Sequence, residues 1–402
     1  MKKRLPSHIF DLPVQEMRRG YRSDIYFWRE KIVLEQHDLH PSVTMQIFQK
    51  KQGILCGVDE ALAILKVGTG RYKDYPKAYR LFDHFIELKG KIREAFSTDK
   101  KRYIHYVEEK MRISQELDDL WIGEFDSLDI KALYDGDPIS PWESVMHIRG
   151  DVSTFAHLET LYLGVLARRS KVATNVHNVV QAARGKTVLF FPARFDHWSV
   201  QGGDGYAAFI GGAAGVSTEA QGEWWGAKAA GTVPHALIAA VGGNTVTAVK
   251  IFGESYPDVN LVALVDFDND CVNTSLQCAE TLGEQLWGVR LDTSENLVDL
   301  SIIPEMGQFK PTGVIPDLVY KTRRALDKAG FNHIKIIVSG GFNPEKINQF
   351  ENQQVPVDAY GVGSALLQGS CDFTADVVLR EGESCAKAGR RYRPSDRLSK
   401  VG

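Results

Sequence analysis

Cysteine is scarce in this chain, and long apolar runs are missing. Five cysteines stand among 402 residues, none in C-x-x-C spacing, so neither a disulfide framework nor a zinc ribbon is on offer and a reducing cytoplasm is the expected home. No stretch approaches the ~18 consecutive apolar residues of a membrane span. Behind the basic Met1-Lys2-Lys3-Arg4 come Leu5-Pro6-Ser7-His8, where a signal peptide needs an apolar core. Charge of one sign is also lacking: 48 Lys+Arg face 51 Asp+Glu, a net charge of -3, which argues against a nucleic-acid partner. What is present is ordinary for a soluble chain, 44% hydrophobic and 25% charged, long enough to bury more than one core.

The one compositional skew is glycine, with 36 residues, eleven of them between Gly202 and Gly243. Before that stretch the pattern is mixed. Ser42 to Val58 reads as short strands leading into a helix, residues 73 to 118 carry aromatics at helical spacing, and Leu128 to Ile148 alternates like strands around the turn Asp135-Gly136-Asp137-Pro138. This predicts an N-terminal α+β domain over residues 1–150, joined by the tail 370–402, and a second domain over 151–369.

The second half has the rhythm of βα units. Thr187 to Phe191, Asn260 to Asp266, Leu286 to Asp292, Ile334 to Ser339 and Val357 to Gly361 have apolar interiors, as parallel strands covered on both faces should. The expected fold class is therefore α/β, with a β/α barrel in the C-terminal half that need be neither closed nor regular. Four of these strands end on Asp266, Asp292, Ser339-Gly340-Gly341 and Gly361-Val362-Gly363. Glycine and aspartate also make good turns, but four such ends in succession point to a site on the carboxyl rim of the strands.

Three tempting motifs fail on inspection. Gly185-Lys186-Thr187 precedes its strand and has Val180 where a P-loop needs glycine. Asp266-Phe267-Asp268-Asn269-Asp270 lacks the glycine and the bidentate glutamate of a calcium loop, Cys271 and Gln277 standing in their places. Gly361-Val362-Gly363 lacks the third glycine of a dinucleotide fingerprint. No metal ligand set is identified. The two glycine turns after the last strands fit a phosphate instead, because glycine lets backbone N–H groups approach an anion closely at the positive end of a helix.

With these pieces in order, the chain resembles the type II phosphoribosyltransferases, and among them the nicotinate phosphoribosyltransferases. The resemblance runs from Ser23-Asp24-Ile25-Tyr26-Phe27 to Ala386-Lys387-Ala388-Gly389-Arg390. It is carried by Glu159-Thr160-Leu161, Ala173-Thr174, Phe191-Pro192-Ala193-Arg194, Gly211-Gly212, Gly231-Thr232-Val233-Pro234-His235, Val289-Arg290-Leu291-Asp292 and the two glycine turns. It implies the joining of nicotinate to phosphoribosyl pyrophosphate, with ATP hydrolysis coupled and magnesium present, by a homodimer or larger homo-oligomer that shares its active sites.

The resemblance also implies roles. Phe191 supplies one face for the pyridine ring, Arg194 the planar fork for the carboxylate, and Tyr26 of a neighbouring subunit the other face. Ser217 falls where nicotinamide-using relatives carry an aspartate, and a hydroxyl can donate to a carboxylate. His235 aligns with a histidine that is phosphorylated, chemistry an imidazole can perform. Asp266 and Asp292 lie near the sugar, where carboxylates stabilise positive charge as pyrophosphate leaves. Arg290, Ser339, Gly340, Gly341, Gly361 and Gly363 belong to the phosphate side, and the Gly202 to Gly243 stretch is expected to line the pyridine and ATP-phosphate side.

Two departures stand out: Asp292-Thr293-Ser294-Glu295 replaces the commoner Asp-Ser-Gly-Asp, and Val265-Asp266-Phe267-Asp268 replaces Asp-Thr-Tyr-Asp. Asp268 is therefore a reserve candidate. A quinolinate enzyme would need further cations for a second carboxylate. A nicotinamide enzyme, a quinolinate enzyme and a non-catalytic phosphosugar-binding barrel remain the rivals.

Overall fold

In the computed structural model, residues 3–307 and 311–401 are described, and the chain divides into two compact units. The first comprises the chain up to Ser170 together with everything from Ser370 onward; the second is Lys171–Gly369.

The first unit is built on an antiparallel sheet containing β1 (Ser42–Gln49), β2 (Asp129–Ala132) and β3 (Ser144–Asp151). Its order is Glu383–Ser384, Phe373–Arg380, β1, β3, β2, Ser399–Lys400. The inner strand β1 pairs with β3 on one side and with Phe373–Arg380 on the other. Helices α1 (Ile25–Gln36) and α2 (Val58–Gly68) belong to the same unit. The stretch of helical spacing from 73 to 118 forms two helices, α3 (Tyr75–Ala95) and α4 (Lys100–Leu120). Asp99 ends the continuity, since its side chain accepts from the amides of Lys101 and Arg102 and so starts a new helix. Phe82, Phe85, Leu88, Leu117 and Trp121 fill the seam between them.

The unit extends beyond Gly150 because helix α5 (Glu159–Ala182) begins in its core. Tyr162 and Leu166 are fully buried there with Phe155 and Leu158. Each such side chain contributes roughly 1.5–3 kcal/mol of burial, enough to hold the first turns of α5 with the N-terminal sheet.

The second unit is an α/β half-barrel. Six strands, β4 (Thr187–Phe190), β5 (Gly215–Val216), β6 (Leu261–Leu264), β7 (Leu286–Leu291), β8 (Lys335–Val338) and β9 (Ala359–Val362), form one sheet in the order β6-β7-β8-β9-β4-β5. Every pairing is parallel. All residues of β6 and β9 are buried, which explains their unbroken apolar runs. Helices α6 (Gln201–Gly211), α7 (His235–Ala240), α8 (Thr245–Ser255), α9 (Cys271–Leu282), α10 (Pro316–Lys328) and α11 (Pro344–Asn352) connect the strands. Among the described residues no helix is long and apolar enough to cross a membrane.

The five strands read from the sequence are all present, whereas β5 has only two residues and no pattern to reveal it. Three of the eleven glycines in the Gly202–Gly243 stretch serve close packing, where the expectation was that the stretch lines a ligand pocket. A β-carbon at Gly211 would fall 2.7 Å from Val176, and one at Gly205 would run into the backbone of Gln221. Gly222 meets Ala227 in the same way. These glycines let short helices pack backbone to backbone. Of the eleven, Gly231 is the one that lines the cavity at the carboxyl ends of the strands.

Candidate active site

Because the strands are parallel, their carboxyl ends share one edge, and the residues just beyond each strand converge there. They enclose a cavity of about 580 Å³, lined entirely by the second unit. Phe191, Arg194, Ser217, His235, Arg290, Asp292, Ser339, Gly340, Gly341, Gly361 and Gly363 all line it. Two expected residues do not. Asp266 stands behind His235, and Tyr26 belongs to the first unit, where its exposed ring rests 4.2 Å from that of Phe27.

Arg290 organises the middle of the site. Its Nε donates to Ser339 Oγ at 2.9 Å, one terminal nitrogen to Thr232 Oγ1 at 3.0 Å, and the other to Asp292 Oδ2 at 2.9 Å. Ser339 Oγ donates in turn to Asp292 Oδ1 at 2.6 Å. The guanidinium also lies 5.6 Å from the centroid of Phe191. Three of its five N–H donors are engaged by protein, so Arg290 holds Asp292 and Ser339 in place while it lines the cavity. Thr232 completes the network and was not singled out by sequence reasoning. Its signal was its place in Gly231-Thr232-Val233-Pro234-His235, where only the histidine drew attention.

His235 opens α7, and its Nε2 lies 3.0 Å from Asp266 Oδ1. The imidazole is half exposed while the carboxylate is almost covered. Burial pushes the Asp266 carboxyl above its ordinary range; the neighbouring His235 opposes this and Asp292 adds to it. With Nε2 facing the carboxylate, Nδ1 of His235 is the ring nitrogen left for a reacting group.

Arg194 sits in the turn Ala193–Phe195 after β4, its guanidinium 5.1 Å from the Phe195 ring. Among the described residues it has no carboxylate partner. The hydroxyl of Ser217 donates to Gln221 Oε1 at 3.2 Å, within the capping box of the turn beginning at Thr218, so its proton is directed at protein.

At the opposite wall, Gly340 and Gly341 have φ of 85° and 67°, values that favour glycine. The amides of Gly340, Gly341, Phe342 and Gly363 donate to no acceptor among the described residues. Free amides on consecutive turn residues beside a cavity form an anion cradle. Asp268 is elsewhere, in a smaller depression with Gly242 and Gly243. Lys186, from the rejected P-loop triplet, pairs with Glu351 at 2.8 Å. Among the described residues no group of three or more His, Cys, Asp or Glu is arranged to hold a metal ion.

A family model described as quinolinate phosphoribosyl transferase, C-terminal domain, matches residues 172–373. The chain is 28% identical over 258 residues to nicotinate phosphoribosyltransferase pncB1 of Mycobacterium tuberculosis, covering 63% of this chain and 53% of that protein. It is 24% identical over 245 residues to the nicotinate phosphoribosyltransferase of Bacillus subtilis, covering 59% of this chain and 45% of that protein. The chain thus spans about half the length of the curated relatives it matches. Among solved structures, nicotinate-nucleotide pyrophosphorylase from Pyrococcus furiosus aligns with a TM-score of 0.71 and 29% identity, over 97% of this chain and 82% of that one. Human nicotinic acid phosphoribosyltransferase shares the fold, with a TM-score of 0.63 at 15% identity over 92% of this chain and 77% of that one.

Proposed function

The chain belongs to the quinolinate phosphoribosyl transferase C-terminal domain family, and from that membership we propose that it joins nicotinate to phosphoribosyl pyrophosphate, yielding nicotinate mononucleotide and pyrophosphate with ATP hydrolysis coupled. The observation that carries this reading is that one cavity combines an aromatic face, an unpaired guanidinium and a run of free backbone amides. Those are the groups a pyridine ring, its carboxylate and a sugar phosphate require.

In this reading the ring of nicotinate lies on Phe191 and its carboxylate meets the fork of Arg194. The 5′-phosphate takes the amides of Gly340, Gly341 and Gly363. Asp292, held by Arg290 and Ser339, accepts from ribose hydroxyls. As the bond from the anomeric carbon to pyrophosphate breaks, positive charge grows on that carbon, and Asp292 and Asp266 stabilise it. The pyridine nitrogen lone pair then forms the new bond to carbon.

His235 attacks the terminal phosphoryl group of ATP through Nδ1, the bond to the β-phosphate oxygen breaks and ADP leaves, and water later cleaves the N–P bond to release phosphate, with Asp266 stabilising the imidazole through Nε2. Asp266 and Asp292 are the carboxylates that would hold magnesium, an ion that commonly takes one or two carboxylates together with phosphates. It would neutralise the leaving group. A homodimer in the cytoplasm is the proposed working form, with Tyr26 of each protomer closing the partner's pyridine site.

A quinolinate enzyme is the second reading, favoured by the name of the family model. It fits less well, because the second carboxylate of quinolinate needs a second free cation. Three of the five Arg290 donors already serve protein partners, and one nitrogen of His235 serves Asp266.

The test is direct. Folded protein incubated with nicotinate, phosphoribosyl pyrophosphate and magnesium should form nicotinate mononucleotide, faster with ATP. No product with or without ATP, or carbon dioxide release from quinolinate in preference, would sink the proposal.

A further inference from the structure

Lys346 lies outside the residues lining the cavity, yet it touches the phosphate wall from behind. It sits in the first turn of α11, and its Nζ donates to the carbonyl oxygen of Gly340 at 3.2 Å. The same ammonium lies 4.3 Å from the ring centroid of Phe342. That ring, buried against Phe350 and Tyr360, fixes where the lysine can reach.

The chemistry of the peptide unit turns this contact into a constraint on the cavity. The carbonyl of Gly340 and the N–H of Gly341 belong to one planar group and, in a trans peptide, point in opposite directions. No cis peptide occurs among the described residues. Drawing the Gly340 carbonyl toward Lys346 therefore turns the Gly341 N–H the other way, to the side where Gly340 and Gly341 line the cavity. Two successive glycines with positive φ have no steric preference that would hold this peptide plane by itself. The neighbouring constraint on the turn comes from Glu295, whose carboxylate lies where a β-carbon on Gly341 would project. It blocks a side chain at 341 without anchoring the carbonyl of 340.

Resting on the reading of this turn as a phosphate cradle, we propose that Lys346 is a positioning residue. It fixes the Gly340–Gly341 peptide so that its N–H is presented to the phosphate of a sugar-phosphate ligand, and it does so by donating a hydrogen bond, with no direct contact to the ligand. A flexible cradle would still bind, but it would have to order the peptide at the moment of binding, which weakens affinity.

The distinction between donation and charge supplies the test. Ribose 5-phosphate is titrated by calorimetry into wild type, Lys346→Met, Lys346→Gln and Lys346→Arg, with folding checked by circular dichroism and thermal melting. Lys346→Met should weaken binding on the order of tenfold, the usual consequence of losing one such bond. In steady-state assays it should raise KM for phosphoribosyl pyrophosphate with little change in kcat. Lys346→Gln, uncharged but still a donor, should restore most of the loss.

Wild-type affinity in Lys346→Met overturns the proposal. So does rescue by arginine without rescue by glutamine, which would make the lysine a direct electrostatic ligand, and so does absence of ribose 5-phosphate binding by wild type. If binding depends on Lys346 as described while no nicotinate mononucleotide is formed, the proposed reaction fails and the cradle stands. If nicotinate mononucleotide is formed and Lys346→Met binds normally, the lysine proposal alone fails.

Discussion

The ring of Phe191 lies against the bare α-carbon of Gly361: a β-carbon at 361 would come within 2.8 Å of two ring atoms. Two neighbouring strand ends are locked together at this point, since the amide of Phe191 also donates to the carbonyl of Val362 at 2.9 Å. Gly361→Ala must therefore displace the ring. The expected result is a KM for nicotinate raised roughly tenfold and a stability loss of about 1–3 kcal/mol, the range for an overpacked site. Gly363→Ala meets Phe195 instead, at 2.8 Å, but that side chain is 48% exposed and can yield. Its effect on stability should be smaller, and paired denaturation curves with nicotinate titrations would check both.

Arg194 and Arg290 should respond differently to the same change. Arg194→Lys keeps the charge but loses the planar fork, so the KM for nicotinate should rise about 10- to 100-fold while that for phosphoribosyl pyrophosphate stays close to wild type. Arg290→Lys cannot reach Ser339, Thr232 and Asp292 together, so its loss should fall mainly on kcat. Equal KM changes for both substrates in both variants would contradict this division.

Coupling to ATP should reside in the His235–Asp266 pair. His235→Ala is expected to lose ATP stimulation and keep a slower basal transfer. Asp266→Asn should reduce the stimulation in part and also slow the basal step, because its negative charge also helps to stabilise the positive charge growing on the sugar carbon. Measuring initial rates with and without ATP, alongside phosphorus labelling of the protein, separates the two.

A pH-dependent effect is expected away from the cavity, in the first unit. Burial, with Glu30, Asp376 and Asp24 nearby, raises the Glu159 carboxyl from 4.5 to about 8. A folded-state value above the unfolded one means a stabilising contribution that is complete below about 4.5 and lost as pH rises through about 8. Glu159→Gln should therefore gain stability relative to wild type between pH 5 and pH 8, by roughly 1–3 kcal/mol, and the gain should level off above that. Urea denaturation at a series of pH values would read it, and a constant difference would show that Glu159 titrates normally.

How much of this was legible in the chain follows from the range of each interaction. The interiors of β6, β8 and β9 announced themselves because a strand covered on both faces must be apolar throughout, a local property. The polar residues at their ends were legible for the same reason. The commitment of Arg290 was not, because it depends on Thr232 and Ser339, separated from it by 58 and 49 residues. The glycines between Gly202 and Gly243 misled because one residue type serves two purposes: close helix packing and close approach to a ligand look alike in one dimension. Ser217 was found as a lining residue, but its hydroxyl answers to Gln221, a partner set by a cap formed only in the folded turn. Lys346 gave no sign at all, since its contact is with a backbone carbonyl that any residue could supply.

The pairing of β1 with Phe373–Arg380 has a consequence for how the protein is made. A ribosome delivers β1 early and its partner strand only after the whole half-barrel has emerged. The second unit is thus able to assemble on the nascent chain while the first sheet waits with one edge of its central strand uncovered. Completion of the N-terminal core is deferred until the half-barrel has been synthesised, and until then the exposed edge of β1 is where a chaperone, or another unfinished chain, would find a template.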